Sequence, residues 1–244
     1  SDGGKFIEPS IAVERALKMI DEGADFIDVG GESTRPGSDS VSAEEEMRRV
    51  IPVIEQLSKA TTIPISIDTT KSVVAEKALQ AGAVIVNDIS SFHFDRRMPE
   101  VVSKHNASVV LMHTKDKSKT MQQNTDYKNL IGEIKSYLSD AIKVSVEKGI
   151  KQIIVDPGIG FGKKLEHNIE IFKRLQEFQE FGYPILIGPS RKSFIGALLD
   201  LPVDERLEGT AGAAAVSILN GANIVRVHDV KEIKRVIKIV DALK

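Results

Sequence analysis

One stretch of the chain, residues 156–163, combines the residue types needed to bind a polar substrate. An apolar run ends in the carboxylate of Asp156, a glycine-rich turn follows, and Lys163 ends the stretch. An acid, a flexible turn and a cation after a buried strand are typical of a site at the carboxyl edge of a parallel sheet. Three further apolar runs end in the same way, in Asp68, in Asn87, and in Arg226 with His228. If these strands close into a barrel, we expect their polar ends to meet at one mouth.

The two acids and the amide at strand ends favour a binding site. A carboxylate such as Asp68 or Asp156 in a mostly apolar barrel mouth is costly unless it is paired. The N–H and amino edge of a heterocycle would satisfy it with two parallel hydrogen bonds, and an arginine would do the same. Structural ion pairs or loop caps are the alternative, and for a single acid that alternative is the better one. Asn87 at a third strand end shifts the interpretation towards a site.

A cation and an imidazole share the last predicted strand. Arg226 and His228 flank Val227, so the period of two places both side chains on one face, about 6–7 Å apart. This pair suits a phosphate or a pyrophosphate. A histidine on its own would more often be a structural group.

Two loops predict a basic rim around the mouth. Residues 30–37 follow the first strand in the chain, and residues 188–193 leave a later strand. Each could be only a turn between a strand and a helix. With Lys163, however, their arginines and lysine place several cations on one face of a protein whose formal net charge is −2. A local basic cluster on a net-acidic protein indicates an anionic substrate.

The pattern along the chain predicts a parallel α/β barrel. Short runs rich in Ile and Val alternate with amphipathic helices, which favours parallel strands joined by helical crossovers. The chain opens instead with a Gly-Gly loop at residues 1–6 and a helix from Pro9. We therefore predict a (β/α)8 TIM barrel as a single domain over residues 1–244, with the first strand absent; an open or seven-stranded sheet is the alternative. The predicted strands are residues 24–30, 63–68, 84–89, 108–113, 152–156, 184–188 and 224–228.

The longest polar loop is predicted at residues 114–126. It follows a strand, so it lies on the face that carries the site, where a mobile lid could sit. A plain solvated loop is an equally good interpretation.

Composition and motifs exclude several classes of site. The 244 residues include no cysteine, which excludes disulfides, thiolate metal sites and a cysteine nucleophile, and which is compatible with the cytoplasm. The glycines at 158, 160 and 162 form neither a dinucleotide fingerprint nor a P-loop. The five histidines have no zinc-ligand spacing. The charge balance favours neither nucleic acid nor a membrane surface as a partner, and no apolar run is long enough to span a bilayer.

At these residues the chain resembles the dihydropteroate synthase family. The resemblance covers essentially the whole chain, and the matching phrases occur in family order. It implies a (β/α)8 barrel, usually a homodimer, that is a cytoplasmic transferase of folate biosynthesis and a sulfonamide target. Its members join 6-hydroxymethyl-7,8-dihydropterin pyrophosphate to para-aminobenzoate and release pyrophosphate. The matching phrases are residues 1–6, 30–37, 67–69 with Lys71, 87–89, 112–113, 156–163, 190–193 and 226–230.

The resemblance also implies roles for individual residues. The pterin would contact Asp68, Asn87, Met112, Asp156 and Lys192, with Arg226 stacked on its ring. The pyrophosphate would contact Thr34, Arg35, Arg226 and His228. The aminobenzoate would contact Thr34, Pro36, Phe161, Lys192 and Ser193. The catalytic set would be Asp68, Asp156, Lys192, Arg226 and His228.

A Mg²⁺ cofactor is implied by the same resemblance. The family holds it with an asparagine in a loop that, together with the first strand, is expected before Ser1. The resemblance therefore places the expected metal ligand before Ser1, and metal ligands within residues 1–244 are unknown.

Two other functions stay open. A pterin-binding methyltransferase module uses the same barrel to move a methyl group from a folate, although the basic rim and residues 190–193 argue against it. A catalytically silent pterin-binding protein is the second alternative, which the missing strand would permit.

Overall fold

Short parallel strands and surrounding helices make up the part of the chain that the computed structural model describes, residues 8–244. The strands are β1 (Ile27–Gly30), β2 (Ile65–Asp68), β3 (Ile85–Asp88), β4 (Ser108–Met112), β5 (Ile153–Asp156), β6 (Leu186–Ile187) and β7 (Ile224–Val225). Each lies within a predicted run and is shorter than it. The Gly-Gly loop predicted at residues 1–6 lies outside the described residues.

The helices alternate with these strands, as the sequence predicts. They are α1 (Pro9–Asp21), α2 (Ala43–Ala60), α3 (Ser72–Ala81), α4 (Met98–Lys104), α5 (Leu130–Glu147), α6 (Leu165–Lys173), α7 (Ser193–Leu199), α8 (Leu207–Leu219) and α9 (Val230–Leu243). Short 3₁₀ turns cover Met121–Gln123, Leu175–Phe181 and Val203–Glu205. Among the described helices, none is long and apolar enough to cross a membrane.

Local sequence signals explain where two of these helices start. Pro9 occupies the first turn of α1, where a missing N–H costs nothing. The side chain of Ser42 caps α2 by accepting a hydrogen bond from the Glu45 N–H at 3.2 Å. Glutamates in the first turn of α2 add a favourable interaction with the helix dipole. The Ser42 cap fixes where the loop after β1 ends.

The strands pair in chain order, which is the topology of a parallel α/β barrel. Strands β1 to β5 form one parallel ladder, and β6 pairs with β7. A bridge from Val155 to Ile185 joins β5 to the segment leading into β6. Within the described residues no ladder joins β7 to β1. The fold is therefore the predicted parallel α/β barrel, of which the described residues contain seven strands.

Two groups of apolar side chains hold the barrel together. The larger group lies between the strands and the outer helices and includes the buried Ile54, Leu57, Ile67, Leu111 and Leu138. A small group inside the barrel consists of Ile85, Val110 and Leu186, with Ile154 and Ile224 against it. This inner layer forms a floor beneath the carboxyl ends of the strands, where the polar side chains lie.

Candidate active site

A cavity of about 920 Å³ runs along the gap between β1 and β7, from the segments that lead into these strands to the carboxyl ends of the barrel strands. It reaches down to the inner apolar layer and extends between β1 and β7 towards α1 and α9. Five predicted site residues line it: Thr34, Asp68, Asn87, Arg226 and His228. The convergence expected from polar residues at strand ends is therefore present.

Arg226 occupies the centre of the cavity, between two carboxylates. Its Nε donates to Asp28 Oδ2 at 2.7 Å, and one Nη donates to Asp68 Oδ2 at 3.1 Å. The Asn87 amide donates to the same Asp28 oxygen at 3.1 Å. The other oxygens, Asp28 Oδ1 and Asp68 Oδ1, are buried without a hydrogen-bond partner among the described residues. Two residues that line the cavity therefore each keep an unused acceptor, which an N–H group of a ligand could satisfy.

Asp28 is a site residue that the sequence interpretation missed. It lies inside β1 rather than at its end, and its neighbours in the strand are apolar. A signal was present, because side chains two apart share a face and Asp28 is two residues before Gly30. Gly30 lies opposite Asp68 in the ladder, so Asp28 points to the same interior. An acidic residue at an inward-facing position of a strand is the sequence signal that identifies Asp28.

Burial and like charge act together on Asp68. Its exposed fraction is 7%, and burial with the nearby charge of Asp28 raises its pKa to about 7, although Arg226 lowers it. Burial also works against the charge of Arg226, but the two carboxylates raise its pKa above its ordinary value. The arginine therefore stays charged, while Asp68 can change its charge near neutral pH. Groups whose pKa is shifted towards neutral pH in this way are common at functional sites.

Asp156 and Lys192 form the opposite side of the mouth. Asp156 is 7% exposed and accepts a hydrogen bond from the Gly158 N–H at 2.7 Å. Burial raises the pKa of Asp156 to about 6, against the lowering effect of Lys192, Lys163 and Arg226. Lys192 donates to the Ile159 carbonyl at 2.9 Å, and its ammonium lies 4.2 Å from the centre of the Phe161 ring. Burial lowers the pKa of Lys192 to about 8. This side offers an acceptor, a cation and an aromatic face close together.

Lys163 does not belong to the rim, so that prediction is wrong. It is 4% exposed and lies beneath the glycine-rich turn, with its ammonium 3.0 Å from the Phe161 carbonyl and 3.0 Å from His113 Nδ1. Burial lowers its pKa to about 7. Gly162 has a φ of +59°, a left-handed conformation that turns the chain just before the lysine. Lys163 thus joins the loop after β5 to the end of β4 and supports Phe161.

The loop after β6 is also less basic than predicted. Arg191 has a φ of +53° and forms a two-bond ion pair with Asp229, at 2.6 and 3.0 Å. Ser190 Oγ lies 2.7 Å from His228 Nδ1 and binds the His228 N–H. These contacts fix the shape of the loop and the orientation of His228. Strand β7 ends at Val225, so the period-two argument for Arg226 and His228 was applied beyond the strand.

The remaining predicted residues surround the mouth at different depths. Met112 is buried at the end of β4, in register with Asp156. Arg35 and Pro36 are exposed at the tip of the loop after β1, and Ser193 is exposed at the first position of α7. The Gly37 N–H donates to the Ser118 carbonyl at 2.9 Å, which joins this tip to the long polar loop. The structure therefore brings the acids, Asn87, Lys192 and Arg226 together and leaves the aminobenzoate set more open.

Four buried groups predict how stability depends on pH. Because Asp68 and Asp156 have raised pKa values, the folded state retains protons that the unfolded state loses, and their contribution to stability falls between about pH 4 and pH 7. The lowered pKa values of Lys163 and Lys192 have the opposite effect, so their contribution rises from about pH 7 towards pH 10.

Chemical unfolding of wild type and of Asp68→Asn over this range measures the first effect. We expect the unfolding free energy of the variant to gain on that of wild type as the pH rises from about 4 to 8. A difference that does not change with pH would contradict a raised pKa for Asp68.

The site combines two chemical capacities. Buried carboxylates and an amide can bind the donor edge of a heterocycle and favour positive charge that develops on it. Arg226, His228 and Lys192 can stabilise negative charge on a departing anion. Together these capacities fit a reaction in which an anionic group leaves a heterocyclic substrate.

Comparison with known proteins assigns the family. The family model described as "Pterin binding enzyme" matches residues 1–228. A dihydropteroate synthase of Clostridium beijerinckii is 49% identical over 246 residues, covering 100% of this chain and 89% of that protein. A Clostridium difficile dihydropteroate synthase solved in the presence of pteroic acid has a TM-score of 0.93 and 46% identity, with 100% of this chain and 91% of that one covered. A Yersinia pestis dihydropteroate synthase in complex with a sulfonamide drug has a TM-score of 0.96 and 40% identity, with 100% and 89% covered. The chain belongs to the dihydropteroate synthase family of pterin-binding enzymes.

Proposed function

We propose that this protein joins 6-hydroxymethyl-7,8-dihydropterin pyrophosphate to para-aminobenzoate, giving 7,8-dihydropteroate and pyrophosphate. One observation carries the proposal: buried carboxylates and cations face each other across one mouth, with Arg226 held between Asp28 and Asp68. Relatives with 46% and 40% identity were solved with pteroic acid and with a sulfonamide drug, which supports the two halves of this product as ligands.

The pterin occupies the cavity between the acids. Asp156 and Asp68 accept the ring N–H and amino groups, and Asn87 adds a further polar contact. Asp68 Oδ1 is buried without a hydrogen-bond partner among the described residues, and a ring N–H would satisfy it. Lys192 donates to the carbonyl and nitrogen edge of the ring, Met112 lies at its border, and Arg226 stacks on its face.

The pyrophosphate leaving group binds on the side of the mouth that carries the cations. Thr34, Arg35, Arg226 and His228 bind the pyrophosphate in this proposal. The bond between the pterin methylene carbon and the bridging oxygen breaks, and pyrophosphate leaves with the electron pair. The carboxylates favour the positive charge on the methylene, and the arginine favours the negative charge on pyrophosphate. The aminobenzoate nitrogen then bonds to the methylene carbon and releases a proton, so the reaction requires no covalent enzyme intermediate.

Lys192 and Ser193 are predicted to have separable kinetic effects. The Lys192 ammonium serves the pterin while its stem borders the Phe161 ring, so Lys192→Met should reduce turnover. The exposed Ser193 hydroxyl suits the aminobenzoate carboxylate, so Ser193→Ala should mainly raise the KM for aminobenzoate and shift sulfonamide inhibition in the same direction. Steady-state kinetics with each substrate varied separately measure both effects. If Lys192→Met has the kinetic constants of wild type, Lys192 does not bind the substrates.

Substrate dependence separates the proposal from its alternatives. Pyrophosphate should appear only when aminobenzoate is present with the pterin pyrophosphate. A methyltransferase module would instead transfer a methyl group from a methylated folate to a cobalamin acceptor, and a silent binding protein would bind the pterin without turnover. Release of pyrophosphate that needs aminobenzoate supports the synthase, and either other result contradicts it.

A homodimer, a cytoplasmic location and Mg²⁺ complete the proposal. Leu198, Leu199, Val203, Val216 and Leu219 are exposed on α7, on α8 and between them, which supports a second copy on this face. Among residues 8–244, no three His, Asp or Glu side chains lie where they could hold a metal ion. Mg²⁺ usually binds through one or two carboxylates together with substrate phosphates and water, so Mg²⁺ would be held here with the help of the pyrophosphate, and no step of the reaction above is assigned to the metal.

A further inference from the structure

A partly buried ion cluster lies behind the mouth, outside the residues assigned above. Lys71 is the residue just before α3, and its ammonium lies 2.5 Å from Glu32 Oε2 and 2.5 Å from Glu46 Oε2. Glu32 belongs to the loop after β1, and Glu46 belongs to α2. One lysine therefore joins three consecutive parts of the barrel. We call this set the Lys71 cluster.

The cluster depends on the charge of Lys71. Burial alone would lower the lysine pKa, but hydrogen bonds to Glu32 and Glu46 raise it, so the ammonium stays charged. Glu46 is 1% exposed, and its Oε1 has no hydrogen-bond partner in the described part of the chain. Without the lysine, two nearby carboxylates would lose the cation they share, and Glu46 would keep an uncompensated buried charge. Glu32 would then be free to move away.

Glu32 closes the base of the loop that carries predicted site residues. Its Oε2 also accepts a hydrogen bond from the Val41 N–H at 3.1 Å, so the start and the end of residues 31–42 are tied to one carboxylate. Gly31 packs so tightly on the Glu46 side chain that an added Cβ would lie 2.9 Å from Glu46 Cγ. The base of the loop is thus fixed by the Lys71 cluster, while its tip at residues 35–37 is exposed.

We propose that Lys71 is a positioning residue that holds this loop, through Glu32, where Thr34, Arg35 and Pro36 can reach the substrates. The inference rests on the proposed function for its kinetic consequence, but its structural part does not. Lys71 itself is not assigned to any substrate. Its loss should therefore affect the ligands of the loop, pyrophosphate and aminobenzoate, and spare the pterin ring, which is bound by residues on β2, β3 and β5.

Lys71→Met keeps most of the side-chain length and removes the charge. We expect the KM for aminobenzoate and for the pterin pyrophosphate to rise between about tenfold and 100-fold, because a displaced loop no longer orients them. The affinity for 6-hydroxymethylpterin, which lacks the pyrophosphate, should stay within about twofold of wild type, because the Lys71 ammonium is bonded to Glu32 and Glu46 and to none of the residues proposed to bind the pterin ring. Lys71→Arg should restore part of the loss.

Hydrogen exchange provides a readout that does not need activity. Amides of residues 33–41 should exchange faster in Lys71→Met than in wild type. The matched control is Lys77→Met, because Lys77 is an exposed lysine on the adjoining helix, and it should match wild type in exchange and kinetics. If Lys71→Met does not fold, Glu32→Gln tests the same tie and should change exchange and KM in the same direction.

The outcomes are distinct. Wild-type KM values and wild-type exchange in Lys71→Met would overturn the inference, as would an equal loss of 6-hydroxymethylpterin binding or a fall in kcat alone. An inactive wild type would contradict the proposed function instead. In that case the exchange measurement still decides whether Lys71 holds the loop.

Discussion

Arg226→Met is expected to lower kcat/KM for pyrophosphate release by about 100- to 1000-fold, the usual effect of removing one donor that stabilises transition-state charge. Arg226 is the cation that lies between Asp28 and Asp68, at 2.7 and 3.1 Å. Methionine keeps part of the aliphatic stem but carries no charge. The variant therefore loses the cation that stabilises the leaving group, and it loses both ion pairs, to Asp28 and to Asp68. Steady-state kinetics under saturating aminobenzoate measure the loss.

Stability gives a second readout for the same change. Without the guanidinium, Asp28 and Asp68 lose their shared cation, and because the Arg226 side chain is 38% exposed the loss of stability should be smaller than the about 3–5 kcal/mol of a fully buried pair. Because Arg226 lowers the pKa of Asp68, its removal should raise that pKa further, and the destabilisation should be larger at pH 8 than at pH 5. Arg226→Lys keeps the positive charge, so its stability should lie between that of wild type and that of Arg226→Met. If kcat/KM of the Met variant is within about threefold of the wild-type value, Arg226 does not stabilise the transition state.

Asp156→Asn is expected to weaken binding of the pterin pyrophosphate by about 2–4 kcal/mol, or roughly 30- to 1000-fold. The change keeps the size of the side chain, removes its charge and replaces one acceptor with a donor. Asp156 is buried at the end of β5, within electrostatic reach of Lys192 and Arg226. Titration calorimetry with the pterin pyrophosphate measures the affinity.

An exposed acid provides the control for this prediction. Asp140→Asn changes the same chemical group on the surface of α5 and should leave the affinity unchanged. Burial raises the pKa of Asp156 to about 6, so at pH 8 the folded state carries a charge that it disfavours. A fall in affinity without a fall in stability at that pH is therefore the expected pattern for Asp156→Asn. Unchanged affinity would exclude this residue from the pterin pocket.

The barrel and its mouth could be predicted because both follow from short-range patterns. Alternating apolar runs and amphipathic helices determine the order of elements, and parallel strands bring their carboxyl ends together. Asp68, Asn87 and Asp156 were predicted for this reason, since Asp68 and Asp156 end their strands, Asn87 is the last residue but one of β3, and the structure buries all three. The predicted strands were too long, because an apolar run also includes the residues that lead into a ladder.

The residues that were missed or misplaced depend on contacts between distant parts of the chain. Asp28 is a site residue because Arg226, far along the chain, pairs with it. Lys163 was expected on the basic rim of the mouth, but the turn before it directs the side chain to His113 and the Phe161 carbonyl. Glu46 looks like an ordinary first-turn glutamate of α2 until α3 brings Lys71 to it. Periodicity along one element does not contain this information.

In the proposed reaction, the acids and cations of this mouth promote cleavage of the bond between the pterin methylene and pyrophosphate, and the methylene carbon is transferred to an amine. The most direct measurement uses pterin pyrophosphate labelled with ¹⁸O at the bridging oxygen, together with para-aminobenzoate and the wild-type protein, and analyses both products by mass spectrometry. We predict that the label leaves in pyrophosphate and that one dihydropteroate forms for each pyrophosphate released. Label retained in 6-hydroxymethylpterin, or pyrophosphate released without dihydropteroate, would contradict the account.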